Sequence, residues 1–243
     1  MTATPTSQLT EVTRTVTPVT GGHDVTLSQT FAVHPEEVWS ALTIGAHLEA
    51  WFGRASGEAI TGGTYELPDM QTRGTVLAAE EPRRLLLTWE FDKTSSEMEL
   101  LVEPVEEAEA EGAPPSDPEG AGDPDQTADQ DRAADPDPVR RTRFTLRHTV
   151  PADAHWAHFG PAATGCGWDA ALYALALHLE DPSADLMPRL SRFAASPEGA
   201  EFTRATAEAW FEAHVATGVD KKPARKASVR TAAVYLGEEP DPA

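Results

Sequence analysis

The segment Phe31–Phe52, FAVHPEEVWSALTIGAHLEAWF, restricts the fold more than any other part of the chain. Upstream, in VTLSQTFAV, Val25, Leu27, Phe31 and Val33 fall on alternate positions and so share one face of a half-buried strand. His34-Pro35 ends that strand. Pro35 fixes its own φ and biases the preceding residue away from helix, while suiting the first helical position. Val38, Trp39 and Leu42 then recur at helical spacing, and after Gly45 so do Leu48, Trp51 and Phe52. A strand feeding two short aromatic helices is an entry that needs a sheet to pack against.

That sheet is legible downstream. Glu58–Ile60 and Thr64–Leu67 flank Gly62-Gly63, a hairpin signal because glycine accepts positive φ. Thr72–Ala79 predicts another strand. In Arg84–Phe91 (RLLLTWEF), Leu85, Leu87, Trp89 and Phe91 alternate with Leu86, Thr88 and Glu90, and Ser96–Glu103 repeats the period with Met98, Leu100 and Val102. Strand character returns at Arg141, where Phe144, Leu146, His148 and Val150 share a face.

Between these last two strands the periodicity stops. Residues 106–138 hold twelve Asp or Glu, one Arg and six Pro, and alanine is their only apolar side chain. Such a segment cannot bury enough apolar area to offset the entropy of ordering it, so a disordered acidic loop inserted within one sheet is expected. After a loop (residues 151–164), GCGWDAALYALALHLED places Trp168, Leu172, Leu175 and Leu179 on one helical stripe, closed by Pro182. Ser196-Pro197 starts a further helix ending near Gly218, and a last one is expected over residues 223–236. The first 22 residues carry eight threonines and little apolar periodicity, which predicts a disordered tail.

Order and spacing of these pieces identify the chain as α+β with a helix-grip (START-like) fold, a curved antiparallel sheet wrapped around a long C-terminal helix. HPEEVWSAL, HLEAWFG, EEPRRLLLTWEF, TRFTLRH and GCGWDAALYALALHL together resemble the SRPBCC (START-like) superfamily. Within it the chain is similar to bacterial relatives of the activator of heat-shock protein 90 ATPase homologues. The expected organisation is a tail (1–22), an SRPBCC domain (23–182) with the insertion at 106–138, and a C-terminal helical extension (183–243) of the kind that accompanies some bacterial members. The resemblance implies a cavity between sheet and helix holding a small apolar or amphipathic molecule. Some superfamily members catalyse cyclisation of bound polyketides, and the branch is named for co-chaperones, but a fold does not transfer either role.

Residues placed to line such a cavity are Trp51, Phe52, Trp89, Phe91, Met98, Leu100, Phe144, Leu146, His148, Trp168, Leu172 and Tyr173. Filling a core would account for each aromatic by itself, since burying one stabilises by about 1.5–3 kcal/mol without a ligand. His148 is the one candidate acid–base group, because imidazole titrates near neutrality and occupies an apolar phase of its strand. A catalytic reading needs a carboxylate beside it, and Glu90 and Glu99 fall on the opposite phase. His155, His158 and Cys166 lack the spacing of a zinc site. Asp169, in the first turn of the long helix, is explained by the helix dipole. No phosphate loop, nucleophile elbow or dinucleotide fingerprint is present, so no cofactor is expected.

The net charge of −21 and pI near 4.6 argue against nucleic acid and against an anionic membrane surface. One cysteine, no secretory pattern and no membrane-length apolar run lead to the expectation of a cytoplasmic protein. Three functions stay open: a small-molecule binder, a cyclase- or aromatase-like enzyme using His148, and a co-chaperone-like interaction module with a chaperone partner. The C-terminal helices either pack on the domain or mediate a homodimer, and the basic cluster Lys221, Lys222, Arg225, Lys226 and Arg230 either contacts the acidic insertion or solvates a terminal helix.

Overall fold

The computed structural model describes residues 3–92, 94–105 and 141–239; the acidic stretch 106–138 lies outside them. The elements run α1 (Pro5–Glu11), β1 (Thr13–Val19), β2 (Gly22–Phe31), α2 (Pro35–Thr43), α3 (Gly45–Trp51), β3 (Ser56–Gly57), β4 (Thr64–Leu67), β5 (Thr72–Glu80), β6 (Arg84–Phe91), β7 (Thr94–Val105), β8 (Arg141–Pro151), α4 (Ala154–Phe159), α5 (Ala162–Glu180), α6 (Met187–Ala194), α7 (Pro197–Val215) and α8 (Lys221–Tyr235). The strands form one antiparallel curved sheet in the order β1-β2-β8-β7-β6-β5-β4-β3. Val105 at the end of β7 pairs with Arg141 at the start of β8.

Local chemistry sets the element boundaries. Pro35 stands in the first turn of α2, and Glu37 reaches back so that its carboxylate accepts the His34 N–H at 2.9 Å. Ser196 caps α7 by accepting the Gly199 N–H at 3.1 Å. Asp153 caps α4, which turns the expected loop at His155–His158 into a short helix. The hairpin at Gly62-Gly63 is much shorter than expected on its first strand: only Ser56–Gly57 pairs with β4, and Glu58–Ile60 is loop.

Helix α5 packs against β2, α2 and α3 on one side and against α7 and α8 on the other. Twelve of its nineteen residues are buried, so the single apolar stripe read from the sequence is only half of its packing surface. Gly165 allows α7 to approach, since a Cβ there would lie 2.1 Å from the Trp210 ring.

The N-terminal residues correct the expectation of a disordered tail. Residues 3–19 fold as α1 and β1, and β1 pairs along its whole length with β2. What orders them is distant in sequence. Gln8 is fully buried and exchanges amide hydrogen bonds with Gln29 at 2.6 and 3.2 Å. Arg14 donates to the Asp169 carboxylate of α5 at 2.7–3.1 Å, and Trp210 of α7 donates its indole N–H to the same carboxylate at 2.8 Å. Asp169 is therefore the buried junction of β1, α5 and α7, a role well beyond complementing a helix dipole. Burial holds its carboxyl above the usual carboxylate range, against the opposing pull of Arg14.

Candidate functional site

The concave face of the sheet and α5 do not close completely on each other. Between them lies an apolar cavity of about 130 Å³, walled by β5–β8, by the middle of α5 from Trp168 to Leu175, and by α2 and α3. Its floor is Val76, Leu85, Leu87, Met98, Leu100, Phe144 and Leu146, all on alternate positions of adjacent strands; Ala171, Leu172 and Leu175 close it from the helix. Leu42, Leu48 and Phe52 together with residues 55–59 form its mouth, where Ser56, Gly57 and Glu58 are exposed. Of the described residues that line it, only Glu58 at this rim carries a charge. The Tyr65 hydroxyl is already committed to the Thr88 carbonyl at 2.6 Å. Such a space can hold an apolar group and offers it no proton donor or acceptor at depth.

Nine of the twelve residues expected to line a cavity do so: Trp51, Phe52, Trp89, Met98, Leu100, Phe144, Leu146, Trp168 and Leu172. Phe91 does not. It ends β6, is 52% exposed and lines a separate outer space instead. Tyr173 is buried but on the opposite side of α5, against Phe193 and Phe202 of the C-terminal helices. One helical step separates it from Leu172, and that step carries it from one packed face to the other.

His148 also lies off the inner cavity, behind Trp168. Its two nitrogens belong to a directional chain. Trp168 Nε1–H donates to His148 Nδ1 at 3.1 Å, so the ring proton is on Nε2, which donates to Ser96 Oγ at 2.7 Å. Ser96 in turn donates to the Trp89 carbonyl at 3.2 Å. Burial pulls the His148 pKa down to about 4, so the ring is neutral near pH 7. Glu99 does not reach it: its carboxylate is on the other face of the sheet, bonded to Arg84 at 2.6 Å and to Arg147. The acid–base pair that a His148-dependent reaction would require is not formed. What the histidine does is fix the orientation of Trp168.

Phe52, Trp89 and Trp168 make a partition. Phe52 stacks on Trp168 (centroids 6.2 Å, planes 10° apart) and Trp89 meets Trp168 edge-on at 5.1 Å. All three line the inner cavity on one side and, on the other, an outer cleft of about 690 Å³ that contains His148 and Ser96. A histidine pair, invisible to sequence spacing, ties the mouth helix to the long helix: His47 Nδ1 of α3 lies 3.0 Å from Nε2 of the buried His178.

Among the described residues no group of three or more His, Cys, Asp or Glu converges as a metal site. Cys166 is buried, with its thiol pushed up to about 12 by desolvation. No helix among the described residues is long and apolar enough to cross a membrane.

Comparison with known proteins agrees with this architecture. The family model for "Activator of Hsp90 ATPase homolog 1-like protein" matches residues 32–111, from the end of β2 through β7. The solution structure of CalU16 from Micromonospora echinospora superposes with a TM-score of 0.58 at 23% identity, covering 86% of this chain and 97% of that one. The CalU16 crystal structure gives 0.50 at 22% identity, over 82% and 97%. EF2215 of Enterococcus faecalis, a conserved protein of unknown function, gives 0.54 at 15% identity, over 89% and 96%. At these identities the likeness is one of fold. No curated protein matches the sequence.

Proposed function

We propose that this chain, whose residues 32–111 match the Activator of Hsp90 ATPase homolog 1-like family model and whose fold is that of CalU16, binds a small apolar molecule, or the apolar end of a larger one, in the inner cavity, without using His148 as an acid or base. One observation carries the reading: about 130 Å³ of apolar space is kept open between α5 and the sheet, with no ionisable group at its depth. Leaving such space empty costs stability, because the side chains around it lose dispersion contacts. A chain that needed α5 only as core would gain by filling it. The volume suits a single benzene-sized ring, since an apolar cavity of about 150 Å³ lined by Leu, Ile and Phe stays dry and binds benzene.

Toluene tests this directly. A ligand present at about 100 times its Kd stabilises the native state by about 2.7 kcal/mol, which for a chain of this length raises Tm by about 5–10 °C. A Tm that does not move at saturating toluene sinks the proposal. The same titration with ethanol serves as the control for a solvent effect.

A further inference from the structure

Beyond the inner cavity, we infer that the outer cleft is a second binding site, which takes a planar aromatic molecule bearing no negative charge. The cleft encloses about 690 Å³ between the ends of β6, β7 and β8, helix α4, the first turns of α5 and the end of α8. That volume lies within the range of small-molecule sites, roughly 300–1,000 Å³.

Its walls are unusually aromatic. Phe91, His155, Trp156 and Tyr235 face it from three different elements, in addition to the Phe52–Trp89–Trp168 partition. Phe91 and Tyr235 are about half exposed, at 52% and 47%, although neither is needed to close the core. Flat, exposed rings around a concave space are suited to stacking a planar guest. Trp168 is held in place for this by its bond to His148, so the back wall of the cleft is preorganised.

Charge selects among planar guests. Asp92 and Asp153 are the acidic groups of the wall, and among the described residues no Lys or Arg lines it. His148 supplies no compensating charge, because both its nitrogens are engaged and burial keeps it neutral. An anion entering the cleft would lose hydration and meet the like charges of Asp92 and Asp153. Neutral hydrogen-bonding groups are present at Ser95 and Thr164.

The test compares 1-naphthylmethanol with 1-naphthoate, which share a ring system and differ in charge, by titration calorimetry on the full chain. Two fused rings exceed the inner cavity, so binding there is separable. The alcohol is expected to bind about tenfold or more tighter than the carboxylate. Trp156→Ala and Tyr235→Ala should each weaken it by about threefold or more, the loss of one stacked ring. Ser95→Trp, at an exposed strand position that tolerates a bulky side chain, should block it outright, with folding checked by circular dichroism. Ala171→Leu, which fills the inner cavity, should leave naphthylmethanol binding unchanged, and the three cleft variants should leave toluene binding unchanged. Equal affinity for the two probes, no binding of the alcohol, unchanged binding in Ser95→Trp, or loss of binding in Ala171→Leu would each overturn the assignment. Failure of toluene alone would count against the inner cavity and leave the cleft standing.

Discussion

Ala171→Leu separates stability from ligand binding. Ala171 lies on α5 with its methyl toward the inner cavity. The empty volume has a standing cost: at about 24 cal/mol per Å³, the slope found for cavities in a well-packed core, 130 Å³ corresponds to about 3 kcal/mol. Leucine adds three carbons and fills about half the space, so the expected gain is about 1.5 kcal/mol, with little loss of helix propensity. For a chain of this size that gain is about 3–6 °C in Tm. Urea denaturation followed by far-ultraviolet circular dichroism should show the midpoint rising at constant slope. Toluene should then no longer raise it. The combination matters, because a site kept empty for a ligand trades stability for function. A destabilisation of about 1 kcal/mol or more would mean that leucine overpacks the site. The cavity volume, and with it the binding argument, would then be wrong.

Three further outcomes follow from the buried polar groups and the N-terminus. The folded-state pKa of His148 lies below that of the unfolded chain, so unfolding takes up its proton between about pH 6.5 and 4. This group's stabilisation is complete above pH 6.5 and is lost as pH falls toward 4, by up to about 3 kcal/mol, and His148→Gln should flatten the measured dependence of stability on pH across that window. Asp169→Ala removes the acceptor shared by Arg14 and Trp210 and should cost about 3–5 kcal/mol in denaturant unfolding, while Arg14→Ala in the same background should add little. A chain lacking residues 1–12 exposes Gln29 and strips the cover from β1, so its Tm should fall by several degrees; an unchanged Tm would show that α1 adds nothing.

Much of the fold was legible because its signals are local. The proline start of α2, the two-residue period of RLLLTWEF and the Trp168–Leu172–Leu175 stripe each need only neighbours in sequence to be read, and the last two place Trp89, Trp168 and Leu172 at the cavity. What the sequence concealed depends on distant partners. The threonine-rich N-terminus looked uncommitted because its anchors, Gln29 and Asp169, stand 21 and 155 residues away. Tyr173 was placed in the cavity because a helix packed on two sides has two apolar faces, and periodicity does not say which belongs to the sheet. His148 faces α5 from its strand but off the inner cavity. Its partners, Ser96 and Trp168, are neutral hydrogen-bonding groups rather than a carboxylate, and spacing along a strand cannot distinguish these.

The central claim is that the space between α5 and the sheet is a ligand cavity, and methyl-resolved NMR with toluene tests it most directly. Titration should shift the methyl signals of Leu85, Leu87, Met98, Leu100, Leu146 and Leu172 together, along one saturating curve. Those of Leu177 and Ala207, buried outside the cavity lining, should stay in place. Shifts spread evenly over the molecule, or none at the cavity methyls, would contradict the account.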